Sequence, residues 1–321
     1  MIKILALTCG GISVASSRLR SFYPFQAADK SSYQVNRVLT YQSFVGSDVI
    51  HFQKTLNPFQ FFLNIFGRLL GKVTVFDVDD QPHNIFVACA MNMNVLISKL
   101  IVVDTEERRA YWVSRYPFKK VIVIPDVCDG VATSLPQISY PRVGEELSVV
   151  WIGHPTNIWS IESLLKYFQS SSEGLKLKLT VISNLSELSS FMQLYEKTNF
   201  VEWRENILLE DCDKYHFMIL NHDFDDASRM KSDNKMVLSF MAGIMPIVSA
   251  TPSYKRLAAA VNLEKIVFDD LTDVFEIVRK LDIEDFSKIA EVRNWVLNKY
   301  SNANFFKSLM LEVHYLTSAG K

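Results

Sequence analysis

The chain has 321 residues, 49% of them hydrophobic and 21% charged, with a formal net charge of −1. That balance excludes a disordered chain and leaves room for two domains, each with its own core. A near-neutral total gives no general pull toward nucleic acid, which is not an expected partner, so any anion site has to be local.

Residues 1–10 carry one lysine and a short apolar core, so they read as a first buried strand rather than a secretion signal. No apolar run approaches membrane-spanning length. Four scattered cysteines (Cys9, Cys89, Cys128, Cys212) show neither metal-type pairing nor disulfide density and suit a reducing compartment. A cytoplasmic protein is expected.

Short apolar runs then alternate with helical periods. Strands are expected at Ile2–Thr8, Asp48–Gln53, Val73–Phe76, Leu100–Val103 and Val121–Ile124, with helices at Leu19–Asp29, Asn57–Leu70 and Thr105–Arg115. Residues 131–147 hold Pro136, Pro141 and Gly144 without a period and read as a linker. A second series follows, with strands at Ser148–Ile152, Leu177–Ser183, Phe200–Trp203, Phe217–Leu220, Ile247–Ser249 and Ile266–Phe268. Helices close the chain at Leu271–Leu281, Phe286–Leu297 and Asn304–Thr317. Such alternation implies an α/β protein with parallel sheets covered by helices. The expected domains are 1–140 and 141–301, with a last helix at about 302–318 that can pack back on the first. Two such domains facing across a cleft would bind ligands at the carboxyl ends of their strands.

The segment Arg229-Met-Lys-Ser-Asp-Asn-Lys235, followed by an apolar helix, Gly243 and Pro246, is the most informative. Lys231 and Lys235 lie before and at a helix start, where free N–H groups and the helix dipole already favour an anion such as a diphosphate. A solvated basic turn is the plainer alternative. Ser232 and Asn234 can add neutral hydrogen bonds there, and Arg229 a further cation. Gly10 and Gly11 end the first strand, where backbone amides can approach phosphate oxygens, although a tight turn alone would also select glycine. Arg18 and Arg20 follow; Arg18, nearer the loop, is the better anion ligand.

Asp77, Asp79 and Asp80 could suggest a divalent metal, yet they lie far in sequence from the lysine-rich segment. Asp80, or its neighbour Asp79, is preferred as the group that orients or deprotonates an acceptor hydroxyl, against a carboxylate that merely caps the turn at Gln81-Pro82. Six histidines are too dispersed for a metal site. His154, just beyond a strand, is the most interesting, and His83 is an acceptor-side candidate; the other four are expected to be structural. Trp203 and Arg204 end a strand and can stack on a nucleobase, or Trp203 can be core. The acidic loop Asn221–Asp226 either binds sugar hydroxyls or salt-bridges Arg229 and Lys231. Phe59, Phe62, Phe66 and Leu69/Leu70 recur at helical spacing. Such a face packs on its own sheet, or lies in a membrane interface beside Arg68 and Lys72.

These segments, in order, resemble the GT-B glycosyltransferases of the family 4 (group 1) type over most of the chain. Cys9-Gly-Gly11 with Ala15-Ser-Ser-Arg18-Leu-Arg20 resembles their glycine loop and helix entry, and Asp48-Val-Ile-His-Phe-Gln-Lys54 their following strand. Val102–Glu106, Val123–Asp126 and Val150–His154 match further strand ends. Lys231 through Tyr254 is similar to the family's "K-S-x-x-K…A-x-G-x-P-v-V-s…p-x-y" signature. The resemblance implies two Rossmann-like domains and transfer of a sugar from a nucleotide-sugar donor to a glycan or lipid-linked acceptor, with retention and with neither cofactor nor metal. It implies a place in surface-polysaccharide assembly (lipopolysaccharide or capsule), in the cytoplasm or at the inner face of the membrane. The donor would lie on the second domain and the acceptor on the first. Two positions depart from the pattern. Leu238 stands where family members usually carry an acidic residue for the donor ribose, and Gly153–Asn157 lacks the usual Arg and Lys. A catalytically silent module that binds a glycan or a partner is the alternative reading.

Overall fold

The computed structural model describes residues 1–54, 57–82, 84–130, 146–170, 177–222 and 225–318. His83 and most of the expected linker, residues 131–145, lie outside them. The chain divides into two compact units, Met1–Cys128 with Asn298–Lys321, and Asp129–Leu297.

The first unit runs β1 (Ile2–Thr8), α1 (Ala15–Ser17), β2 (Tyr33–Asn36), α2 (Tyr41–Gly46), β3 (Val49–Gln53), α3 (Pro58–Leu69), β4 (Val73–Val78), α4 (Ile85–Ile97), β5 (Leu100–Val103), α5 (Glu106–Arg115) and β6 (Lys120–Val123). Its strands form one parallel sheet in the order β2-β1-β3-β4-β5-β6. Helices cover both faces, so β3, β4 and β5 are buried along their whole length. The helices start where the sequence supplies caps. Asn57, Asn84 and Thr105 each accept a backbone N–H three residues on, at 2.8, 2.9 and 3.2 Å.

The second unit runs β7 (Leu147–Ile152), α6 (Glu162–Ser170), β8 (Leu177–Ser183), α7 (Ser189–Leu194), β9 (Asn199–Glu202), α8 (Ile207–Glu210), β10 (Phe217–Leu220), α9 (Asp226–Arg229), α10 (Asn234–Met241), β11 (Met245–Ser249), α11 (Pro252–Ala260), β12 (Val267–Phe268), α12 (Val274–Lys280) and α13 (Ile283–Lys299). Its parallel sheet has the order β12-β11-β10-β7-β8-β9, the 3-2-1-4-5-6 arrangement of a dinucleotide-binding fold. Gly243, at φ +72°, ends α10 in the left-handed region. Pro246 sits inside β11 without breaking it. Met245 N–H donates to His216 O, so the next nitrogen turns the other way, where β12 pairs only from Val248 onward. The final helix, α14 (Asn302–Ser318), packs Phe305, Phe306, Leu309 and Met310 against Ile4, Ala6 and Phe25 of the first unit.

Three local expectations change. The helix expected over Leu19–Asp29 is instead a wide π turn, Arg18–Phe22, then a 3-10 turn, Pro24–Ala27, because Pro24 has no N–H to continue the ladder. The wide turn buries four consecutive residues, Arg18, Leu19, Arg20 and Ser21. Second, β2, α2 and α4 appear where no element was expected. Finally, Phe59, Phe62, Phe66, Leu69 and Leu70 do not pack on the sheet but are exposed. The inward face of α3 carries Asn64 and Gly67 instead. A Cβ on Gly67 would approach Ile50 Cδ1 to 2.8 Å. Asn64 Nδ2 donates to Asn94 Oδ1 at 3.1 Å and Ser98 Oγ at 2.8 Å. The helix therefore packs through Leu63 together with small and polar groups and turns its aromatic stripe outward.

Candidate functional site

Each sheet has one place where the chain, having run outward to one side of its first strand, resumes on the other. In the first unit this lies between β1 and β3, and in the second between β7 and β10. Crevices beyond the carboxyl ends of strands at such points bind ligands in open α/β sheets.

In the second unit that point is marked by lysine. Lys235 is the second residue of α10, whose N-cap, Asp233, makes no side-chain cap bond to the helix. Its Nζ donates to Ile152 O, the last residue of β7, at 2.9 Å, and lies 5.8 Å from the Trp151 ring centroid. Among the described residues no carboxylate lies at ion-pair distance from Lys235 or Lys231, although the charge of Lys231 reaches the exposed Asp225 of the acidic loop. Burial, then the charge of Lys231, pull the Lys235 pKa down to about 8. A half-buried cation with a like charge nearby and no counter-ion is costly by itself and is relieved by an anion. Ser232 and Asn234 lie beside it, half-buried, their side chains without hydrogen bonds among the described residues. Arg229 is exposed at the end of α9.

His222 follows β10 on the same edge. Its Nε2 is 3.2 Å from Tyr254 Oη, the two rings stack at 5.6 Å, and its N–H donates to Ser249 Oγ at 3.1 Å. Burial first, then Lys235 and Lys231, lower its pKa to about 3, so the imidazole is neutral. His154 is exposed and caps the turn after β7, its Nδ1 3.0 Å from Thr156 Oγ1. Trp203 is 43% exposed beyond β9, at the sheet edge, and Arg204 is ion-paired with Glu210. Trp203 and Arg204 thus stand two strands away from Lys235, whereas His154 is next to it along β7.

In the first unit the glycine loop is tied down by its own helix entry. Gly10 N–H donates to Ser17 Oγ at 3.1 Å, and Ser17 Oγ donates to Gln53 Oε1 at 3.2 Å. A Cβ at Gly11 would meet nothing within 4 Å. Arg18 is buried and spends its guanidinium on Ile12 O and Ser13 O at 3.0 and 3.3 Å, which places it under the loop as a support. Arg20 is buried completely, with Asp77 Oδ1 at 2.6 Å and Asp126 Oδ1 at 2.8 Å. Burial lowers the Arg20 pKa, but Asp77 and then Asp126 outweigh it and the net shift is upward. His51 Nε2 holds the other Asp77 oxygen at 3.1 Å.

The three aspartates at the end of β4 therefore differ. Asp77 is consumed by Arg20 and His51. Asp80 is ion-paired with Lys54 and accepts the N–H of Gln81 at 3.2 Å. Asp79 has one buried oxygen without a hydrogen-bond partner, and burial raises its pKa to about 7 against the opposing charges of Arg20 and Lys54. A carboxyl group near neutrality at a strand end is suited to proton transfer. Lys54 itself has a left-handed backbone, φ 48°, an uncommon state for a residue with a side chain. Among the described residues no three His, Cys, Asp or Glu side chains converge as metal ligands would.

The sequence places Gln53, Lys54 and Tyr254 in matched motifs without assigning them a site role, and His222 is expected there to be structural. Each stands within two residues of a strand end or at a helix start, which is the signal that could have found them.

No family model matches the sequence and no curated protein matches it. Among solved structures the chain is similar to a mutant of the Thermobaculum terrenum O-GlcNAc transferase, with TM-score 0.59 and 12% identity over 98% of this chain and 67% of that one. It is also similar to the alpha-glucosyltransferase AGT in complex with UDP, with TM-score 0.62 and 11% identity over 98% and 100% of the chains. A third is WaaG, a glycosyltransferase involved in lipopolysaccharide biosynthesis, with TM-score 0.57 and 10% identity over 91% and 95%. Two Rossmann-like units, each a six-stranded parallel sheet, in the company of these structures give this chain the GT-B fold.

Proposed function

We propose that the chain is a retaining, metal-independent glycosyltransferase that moves a sugar, a hexose or a relative, from a nucleotide-sugar to a glycan or lipid-linked acceptor. The observation that carries this reading is the pair Lys231 and Lys235, with no carboxylate at ion-pair distance among the described residues, at a helix start without a side-chain cap beside the β7–β10 switch point. Two cations there fit the diphosphate of a leaving nucleotide and stabilise the charge that grows on it. The UDP bound by AGT supports a nucleotide donor, and the involvement of WaaG in lipopolysaccharide biosynthesis supports surface-polysaccharide assembly.

In this mechanism Ser232 and Asn234 hydrogen-bond the phosphates, neutral His222 and Tyr254 border the sugar, and Gly11 leaves room for a close approach. His154, Arg229, Trp203 and Arg204 remain donor-side groups, the last two for the base. Asp79 takes the acceptor-side role of orienting and deprotonating the hydroxyl, with His83 second; Asp80 and Lys54 hold that corner by their ion pair. Metal independence fits the full engagement of Asp77, which leaves no Asp-x-Asp pair to chelate. The donor belongs to the second unit and the acceptor to the first.

A melting-temperature screen against UDP, GDP, dTDP and CMP tests the reading. One of them should raise the midpoint, because a ligand selective for the folded chain stabilises it by mass action. The second reading, a silent glycan- or partner-binding module, is favoured by aliphatic Leu238 and by the lack of a cation over Gly153–Asn157. Absence of binding to any nucleotide by calorimetry would select it.

A further inference from the structure

The outward faces of α3 and α4 carry an apolar layer that the fold does not use. Phe59, Phe62, Phe66 and Leu69 lie exposed on α3, and Ile85 and Phe86 open α4, Phe86 being 83% exposed and Leu69 76%. An aromatic side chain brings roughly 150–250 Å², so four half-exposed phenylalanines make a patch larger than isolated surface apolar residues account for.

Charge on these helices is as unusual as their exposure. Pro58–Leu69 and Ile85–Ile97 contain no carboxylate, and Arg68 is their sole charged residue. The strands β3 to β6 run in one direction across the sheet, so α3, α4 and α5 share a face. On that same face α5 is a conventional surface helix, with Glu106, Glu107 and Arg115. The apolar layer is thus local to two helices. Its rim is basic. Lys119, next to exposed Phe118, donates to the carbonyl of Ser98 at 3.0 Å just beyond α4, and the Arg68 charge reaches it.

We infer that the α3–α4 face docks the protein on an anionic lipid bilayer, its aromatic residues entering the headgroup boundary and Arg68 and Lys119 meeting lipid phosphates. A bilayer accepts apolar side chains without asking for matched hydrogen bonds, and two helices without a carboxylate, flanked at one end by cations, complement anionic headgroups. The inverted packing of α3 fits this use, since Asn64 and Gly67 secure the helix inward while the aromatic stripe is left free. Helices that follow parallel strands start at the carboxyl edge of the sheet. Phe59, Ile85 and Phe86 therefore lie toward the edge of the sheet that carries Asp79, where an acceptor is expected. The inference deepens the acceptor side of the proposed function and rests on it for its purpose.

The test is co-sedimentation of the full chain with vesicles of phosphatidylcholine alone and of phosphatidylcholine with phosphatidylglycerol. Binding should favour the anionic vesicles and weaken with salt. The triple substitution Phe62→Ser, Phe66→Ser, Phe86→Ser should cut the bound fraction at least tenfold while the melting temperature stays within a few degrees. If the triple variant melts early, Phe86→Gln alone carries the test, with a loss of about threefold. No binding to anionic vesicles at low salt overturns the inference, as does binding that both variants leave intact. A concentration-dependent dimer that the substitutions abolish, without vesicle binding, assigns the face to a second copy and also overturns it. Nucleotide-induced melting shifts measured on the same samples separate the claims: vesicle binding without any shift sinks the transferase reading and spares this one.

Discussion

Two groups of buried charge, one in each unit, are built on opposite principles. Arg20 in the first unit is surrounded by Asp77, Asp126 and a carbonyl, with His51 closing the far side of Asp77. Lys235 in the second has a carbonyl for its hydrogen bond and another lysine for its electrostatic neighbour. The first arrangement pairs its charges within the chain, although Arg20 Nη2 and His51 Nδ1 make no hydrogen bond. The second has no counter-charge in contact with it among the described residues, and the proposed diphosphate site rests on that feature.

The contrast is broken most forcefully at Arg20. Arg20→Met would leave Asp77 and Asp126 buried without their partner, a loss of roughly 3–5 kcal/mol in stability, read as a large drop in denaturation midpoint. Lys235→Met should do the reverse. Turnover should fall by about 10²–10³ while the melting temperature holds or rises by a few degrees, since the substitution removes a desolvated charge. If Lys235→Met instead melts the protein and Arg20→Met does not, the two roles are exchanged.

A smaller effect sharpens the comparison through pH. Activity should rise through about 7, as Asp79 loses its proton, and fall above about 8, as Lys235 loses its charge. Asp79→Asn should lower the rate and remove the acid limb. Stability runs with different signs. The Asp79 pKa is raised in the fold, so the unfolded chain gives up its proton first and stability falls between pH 3.8 and about 7. The Lys235 pKa is lowered, so between about 8 and 10.5 the unfolded chain holds more protons and stability rises with pH. Equilibrium unfolding of each variant across these windows checks both signs.

How much of this was legible in the residues follows from what each signal encodes. β1, β5, β8 and β10 lie on the residues that their apolar runs marked, because a strand covered on both faces is apolar throughout. β2, Tyr-Gln-Val-Asn, has no such run, and α4 has no polar face to give a period, so both were invisible. Lys235 was readable because a helix start has a local grammar. Lys54, His222 and Tyr254 also stand near strand ends or at a helix start, but that position does not give the proximity across strand ends that makes them interesting. The place of Arg18 after a glycine loop suggests an anion ligand and leaves Arg20 open; a π turn, which no simple periodicity announces, carries both inward. The α3 stripe was readable as a stripe, but periodicity does not say whether it faces sheet or solvent.

Calorimetric titration with UDP at pH 9, in buffers of different ionisation enthalpy, tests the central claim most directly. The lowered pKa of Lys235 leaves it mostly neutral at that pH, and a diphosphate must recharge it to bind well. The account predicts uptake of about one proton per UDP bound, lost in Lys235→Met. Binding without proton uptake, or uptake unchanged by that substitution, would contradict it.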